Sequence, residues 1–157
     1  MAEVVILISN TNGGFLISKI KQLGGRQFER LLEEHGIDEF NGAQGRILFV
    51  LWSNDNIPIS ELSEKTGLAK TTLTSMLDRM EASGHITRVL DKKDRRKVNI
   101  RLTEETRMLE ARYDEVSQRM NEIFYEGFSN DEIEVFEKSL SRILGNLTGG
   151  NQVKHDD

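Results

Sequence analysis

The sequence predicts a mainly α-helical fold that carries one small β-hairpin. Three observations predict it. Apolar residues recur at three- and four-residue spacing over most of the chain, with a single proline among 157 residues to interrupt them. Two short helical segments flank Gly67, the arrangement of a helix-turn-helix. Two runs rich in β-branched residues, Ile86–Leu90 and Val98–Leu102, stand on either side of a polar tip.

The elements follow in order. Met1 to Gly14 joins a short apolar run, Val4 to Ile8, to the turn-forming Ser9-Asn10-Thr11-Asn12-Gly13-Gly14, and is given no role. From Phe15, the residues Leu16, Ile20, Leu23, Phe28 and Leu31 mark a helix that ends at His35-Gly36, although Gly24-Gly25 weakens it internally. Ala43 to Trp52 is too densely apolar for a surface helix and is expected in the core. Asn54-Asp55-Asn56 reads as a turn, Pro58 suits a helix start, and Ser60 to Thr66 forms a short helix stopped by Gly67.

A further helix runs from about Lys70 to Ser83, with Leu73, Met76, Leu77 and Met80 on one side and Gly84 as its stop. At 100° per residue, the face opposite Leu73 and Leu77 carries Thr71, Thr72, Thr74, Ser75, Asp78 and Arg79, small or polar groups suited to hydrogen bonding. In the second β run, Val98, Ile100 and Leu102 alternate with Asn99 and Arg101, which predicts a two-stranded hairpin. Its tip, Asp91 to Lys97, is too polar to pack inward. Thr103 then caps a helix begun by Glu104-Glu105-Thr106, whose stripe continues through Leu109, Tyr113, Val116, Met120 and Ile123. After Gly127-Phe128-Ser129-Asn130, a last helix carries Ile133, Phe136, Leu140, Ile143 and Leu147.

Bulk properties narrow the function. The longest apolar run is too short to span a bilayer and lacks a basic leader, so the reading places the protein in the cytoplasm with no membrane partner. The absence of cysteine excludes disulfides, thiolate metal sites and thiol redox sensing. His35, His85 and His155 are scattered, and neither His-Glu-x-x-His nor a complete phosphate loop occurs. No catalytic residue, metal site or cofactor is expected, and the chain is not read as an enzyme. The net charge is −5, yet His85 to Arg101 holds seven cations (Arg88, Lys92, Lys93, Arg95, Arg96, Lys97, Arg101) against Asp91 and Asp94. That local +5 leaves −10 for the remainder, a polarisation that gives an acidic protein one basic face.

A helix-turn-helix directly before a basic hairpin, within the order four helices, hairpin, two helices, resembles the MarR family of bacterial and archaeal regulators over roughly Phe15 to Leu147. The resemblance rests on Ile59-Ser60-Glu61-Leu62-Ser63, Lys70-Thr71-Thr72-Leu73-Thr74, Leu77-Asp78-Arg79-Met80-Glu81 with Gly84, and Asp94-Arg95-Arg96 followed by Val98 and Leu102-Thr103. It implies a winged helix-turn-helix with N- and C-terminal dimerisation helices. Residues 1–14 form an extension, 15–148 a single domain, and 149–157 a flexible tail. Within the domain, the DNA-binding lobe covers about 42–103 and the dimerisation helices about 15–35 and 104–148.

The resemblance implies a homodimer that binds double-stranded DNA at a pseudo-palindromic operator, read as a repressor released by a small-molecule effector. The recognition helix would offer Lys70, Thr71, Thr72, Thr74, Ser75 and Arg79 to the major groove, and the wing Lys92, Lys93, Asp94, Arg95, Arg96 and Lys97 to the minor groove. Lys70 and Arg79 suit phosphates, and Thr71, Thr74 and Ser75 base edges. Arg96 is the minor-groove arginine of the family pattern, oriented by Asp94. Ser75 departs from the long basic residue that many members carry there, so base preferences do not transfer. Ordinary alternatives are a solvated turn with a weak surface ion pair for Asp94 and Arg96, a plain amphipathic helix for Lys70 to Ser83, and an intrachain bundle for the terminal helices. The rival function is a winged-helix module that docks another protein.

Overall fold

The computed structural model describes residues 10–149, so the apolar run at Val4 to Ile8, most of the N-terminal extension and the tail beyond Gly149 lie outside the described residues. The chain divides into two compact units, Met1–Met120 and Asn121–Asp157.

In the first unit, helix α1 (Gly13–Glu34) runs unbroken through Gly24-Gly25. It buries Leu31 and Leu32 near its C-terminus, while Phe15, Leu16, Ile17, Ile20 and Leu23 stay exposed, Phe15 at 69%. Helix α2 (Gly42–Ser53) starts at a reciprocal cap, in which Gln44 N–H donates to Asn41 Oδ1 (2.8 Å) and Asn41 N–H to Gln44 Oε1 (3.1 Å). As the dense apolar run predicts, Ile47, Leu48 and Leu51 are fully buried, although Phe49 faces outward.

Strand β1 (Ile57–Pro58) leads into α3 (Ile59–Thr66) and α4 (Lys70–Ala82), then β2 (Ile86–Leu90) and β3 (Val98–Leu102). The sheet therefore has three strands in the order β1-β3-β2, where the sequence predicts two. Ile57 pairs with Ile100 and Pro58 with Asn99. A two-residue strand has no alternation to detect, and a proline is tolerated on this edge because its missing N–H is not needed there. The hairpin register, Ile86 with Leu102 through Leu90 with Val98, matches the predicted strands residue for residue.

The helix expected from Thr103 is split into α5 (Glu104–Arg107) and α6 (Glu110–Phe124). At the junction Thr106 O accepts both the Trp52 indole N–H (3.1 Å) and Leu109 N–H (3.1 Å), the latter an i+3 bond that tightens the turn. Thr103 caps α5 as predicted, accepting from Thr106 N–H. His85, buried beside this junction, donates from Nε2 to Glu39 O (2.6 Å) and contacts Thr106 Oγ1 through Nδ1 (3.4 Å).

In the second unit, α7 (Asn130–Gly149) begins at Ser129, whose hydroxyl accepts from Glu132 N–H while Glu132 accepts from Ser129 N–H. Tyr125 donates to Glu137 (2.8 Å), and its ring packs against Phe124, Phe128 and Phe136. Helix α7 has no buried residue, and Val135, Ile143, Leu144 and Leu147 are exposed. Among the described residues, no helix is long and apolar enough to cross a membrane.

Candidate nucleic-acid interface

The turn between α3 and α4 is fixed by Gly67, which takes a left-handed conformation (φ 72°) and returns its N–H to Ser63 O. A side chain would be strained there. Ser63 Oγ donates to Leu68 O (2.6 Å) and Thr66 Oγ1 to Leu62 O (2.7 Å), so the turn is closed by its own hydroxyls. With Leu62, Leu73, Leu77 and Met80 fully buried beneath it, the pair presents one defined face.

That face holds Lys70, Thr71, Thr72, Thr74, Ser75 and Arg79, all exposed, together with Asp78. Helix α4 has Ala69 at its N-cap, without a side-chain cap, and no acidic residue in its first turn. Its leading N–H groups and positive dipole end are thus open to an anion. Thr74 Oγ1 donates to Lys70 O (2.8 Å), which spends its proton on the helix.

Among the described residues, Lys70, Arg79, Lys92, Lys93 and Arg95 make no salt bridge, and neither does Lys97, although its charge acts on Asp91 and Asp94. All six can neutralise phosphate. The wing tip is shaped by two aspartates. Asp91 accepts from Lys93 N–H (2.7 Å), Asp94 N–H (3.0 Å) and Asn99 Nδ2 (3.0 Å). Asp94 accepts from Arg96 three times: Nε (3.0 Å) and N–H (3.1 Å) at one oxygen, and Nη2 (3.3 Å) at the other. The backbone N–H groups of Asp94 and Lys93, then Asn99, hold the Asp91 carboxyl below the usual range, while the Arg96 guanidinium and then its N–H do the same for Asp94. Arg96 is thereby aimed in one direction while its side chain is 90% exposed. Such a fixed, unburied guanidinium fits a narrow channel of negative potential.

Residues 40–98 match the MarR family model. Over that stretch the chain is similar to the MarR family. It is 38% identical over 90 residues to the HTH-type transcriptional regulator TtmR of Methylorubrum extorquens, an alignment covering 57% of this chain and 45% of that protein. The PcaV regulator of Streptomyces coelicolor, solved with its natural ligand, is 25% identical with a TM-score of 0.71, covering 85% of this chain and 92% of that one. Reduced AbfR bound to DNA superposes with a TM-score of 0.67 at 23% identity over 94% of this chain and 99% of that one, a likeness of fold. The chain spans 45–64% of the length of the first three curated relatives it matches. The winged helix-turn-helix architecture expected from the sequence is the one observed.

Within this MarR-like lobe, sequence reasoning missed two side chains. Arg88, counted with the basic stretch, is not a free cation: it pairs with Asp78 and Glu81 of α4. Asn99, read only as a polar alternation in β3, is buried and braces Asp91. The alternation showed the side of the sheet Asn99 occupies but not its partner, eight residues earlier in the chain. Among the described residues no group of three or more His, Asp or Glu side chains could hold a metal.

Proposed function

We propose that the chain is a transcriptional regulator that binds double-stranded DNA, with α4 in the major groove and the β2–β3 tip in the minor groove. The observation that carries this reading is the Asp94–Arg96 pair, which holds a guanidinium rigid and almost wholly exposed at the end of a basic hairpin. The unpaired Lys70 and Arg79 suit phosphates, and the exposed hydroxyl of Ser75 suits a base edge. If Ser75→Ala selects the same operator from random DNA, that last assignment is wrong.

The finer reading is a homodimer acting as a repressor. The exposed apolar residues of α1 and of α7 supply burial for association, and two-fold symmetry matches a pseudo-palindromic operator with half-sites about one helical turn apart. A monomer by light scattering at micromolar concentration excludes it. PcaV has a natural ligand, and by analogy a small-molecule effector releases this chain from its operator. Such a regulator works in the cytoplasm beside the genome, and is not an enzyme.

Fluorescence anisotropy on the DNA flanking its own gene, comparing the native chain with Arg96→Ala over a salt series, tests the core of the proposal. Binding should weaken with salt, and the variant's log–log salt slope should fall by about 0.9 for each phosphate that is no longer neutralised. Failure to bind at low salt, on both this DNA and a random pool, favours the protein-docking alternative.

A further inference from the structure

Arg88 lies in the middle of β2, the strand that leads to the wing tip, and its side chain is only 24% exposed. Its Nη2 donates to Asp78 Oδ1 (2.7 Å) and its Nη1 to Glu81 Oε1 (3.0 Å), while its backbone N–H reaches the other Glu81 oxygen (3.2 Å). Asp78 and Glu81 are one turn apart on α4. One planar guanidinium therefore spans two carboxylates on the helix, and a main-chain bond from the same residue closes the ring.

We propose that Arg88 is a positioning residue for DNA binding: by gripping Asp78 and Glu81 it locks the recognition helix to the wing strand and presets the offset between the two DNA readers. This inference rests on the DNA-binding reading above. Two carboxylates beside a polyanion ordinarily oppose binding, and nothing else on α4 engages them. The fork screens their charge and uses them as anchors, so that Arg96 is delivered to the minor groove when α4 sits in the major groove. Without the lock, β2 and its tip are ordered relative to α4 only on meeting DNA, which weakens binding by the freedom then given up.

The sign of one substitution separates anchoring from electrostatics. Asp78→Asn with Glu81→Gln removes two negative charges from a DNA-facing helix, which by charge alone raises affinity. Anchoring predicts the reverse, a loss of about fivefold, with Arg88→Ala causing a similar loss in the native chain and no further loss in the double variant. The Arg96→Ala penalty should also shrink in the unclamped background, a coupling that a general loss of stability does not produce. Tighter binding by the double variant, or a further loss on adding Arg88→Ala, overturns the proposal. Amide hydrogen exchange on the free protein supplies a readout that needs no DNA. The double variant should speed exchange at Arg88 and through residues 89–97 but not at Leu77 or Met80. Unchanged exchange refutes the lock whether or not the native chain binds DNA.

Discussion

Replacing Gly45 by alanine sets helix propensity against packing. Gly45 is buried in the interior of α2, where alanine would gain about 1 kcal/mol of intrinsic helix stability. A Cβ at that position, however, stands 2.8 Å from Tyr113 Cε2 and 3.4 Å from Phe40 Cε2. Neither ring can retreat easily. Tyr113 packs against Trp52 at 5.0 Å, Phe28 at 5.6 Å and Phe40 at 5.9 Å between centroids, and both Tyr113 and Phe40 are buried. Overpacking of this kind costs about 1–3 kcal/mol, so the expected net effect is destabilisation by about 1 kcal/mol. Urea unfolding at fixed protein concentration, followed by emission of Trp52, the single tryptophan, measures it. In a Tyr113→Leu background the penalty should disappear, because the ring it strikes is gone. A stabilising Gly45→Ala, or a penalty unchanged by Tyr113→Leu, would refute the account.

The wing carboxylates make a pH prediction. Asp91 and Asp94 are held below their ordinary range, so their contribution to wing order is present above the ordinary carboxylate pKa, about 4, and is lost only as pH falls through their lowered values. The ratio of native to Arg96→Ala DNA affinity should therefore stay constant from pH 8 to pH 5, and a drift in that ratio counts against the Asp94–Arg96 geometry. Thr74→Val tests the Thr74 hydroxyl: its proton is committed to Lys70 O, so operator preference from a random pool should survive the change. A switched base preference would show that the hydroxyl reads DNA.

The parts of the fold that the chain displays to a linear reader are those with a repeating period. Leu73, Leu77 and Met80 announce the buried side of α4, and the alternation Val98, Ile100, Leu102 announces β3. What escapes has no period or depends on a distant partner. Strand β1 is two residues long. The bond that Trp52, 54 residues away, makes to the Thr106 carbonyl at the junction of α5 and α6 has no sequence signal. Of the candidate interface residues, those of the α4 face and the wing tip stand out by polarity and charge. Arg88 is not, because a count of cations cannot distinguish a free guanidinium from one whose anchors lie seven and ten residues earlier.

The wing tip has its own kind of independence. Its shape is held by bonds that begin and end between Asp91 and Asn99: Asp91 to Lys93, Asp94, Lys97 and Asn99, and Asp94 to Arg96 and Lys97. Among the described residues, no side chain of the helical core contributes a hydrogen bond to it. The tip is therefore a cassette, portable in principle to another antiparallel hairpin of matching register with Arg96 still aimed. Substitutions that repack the helices but spare the grip of Arg88 on Asp78 and Glu81 can accumulate without re-aiming that arginine, so core stability and recognition are free to diverge along separate lines.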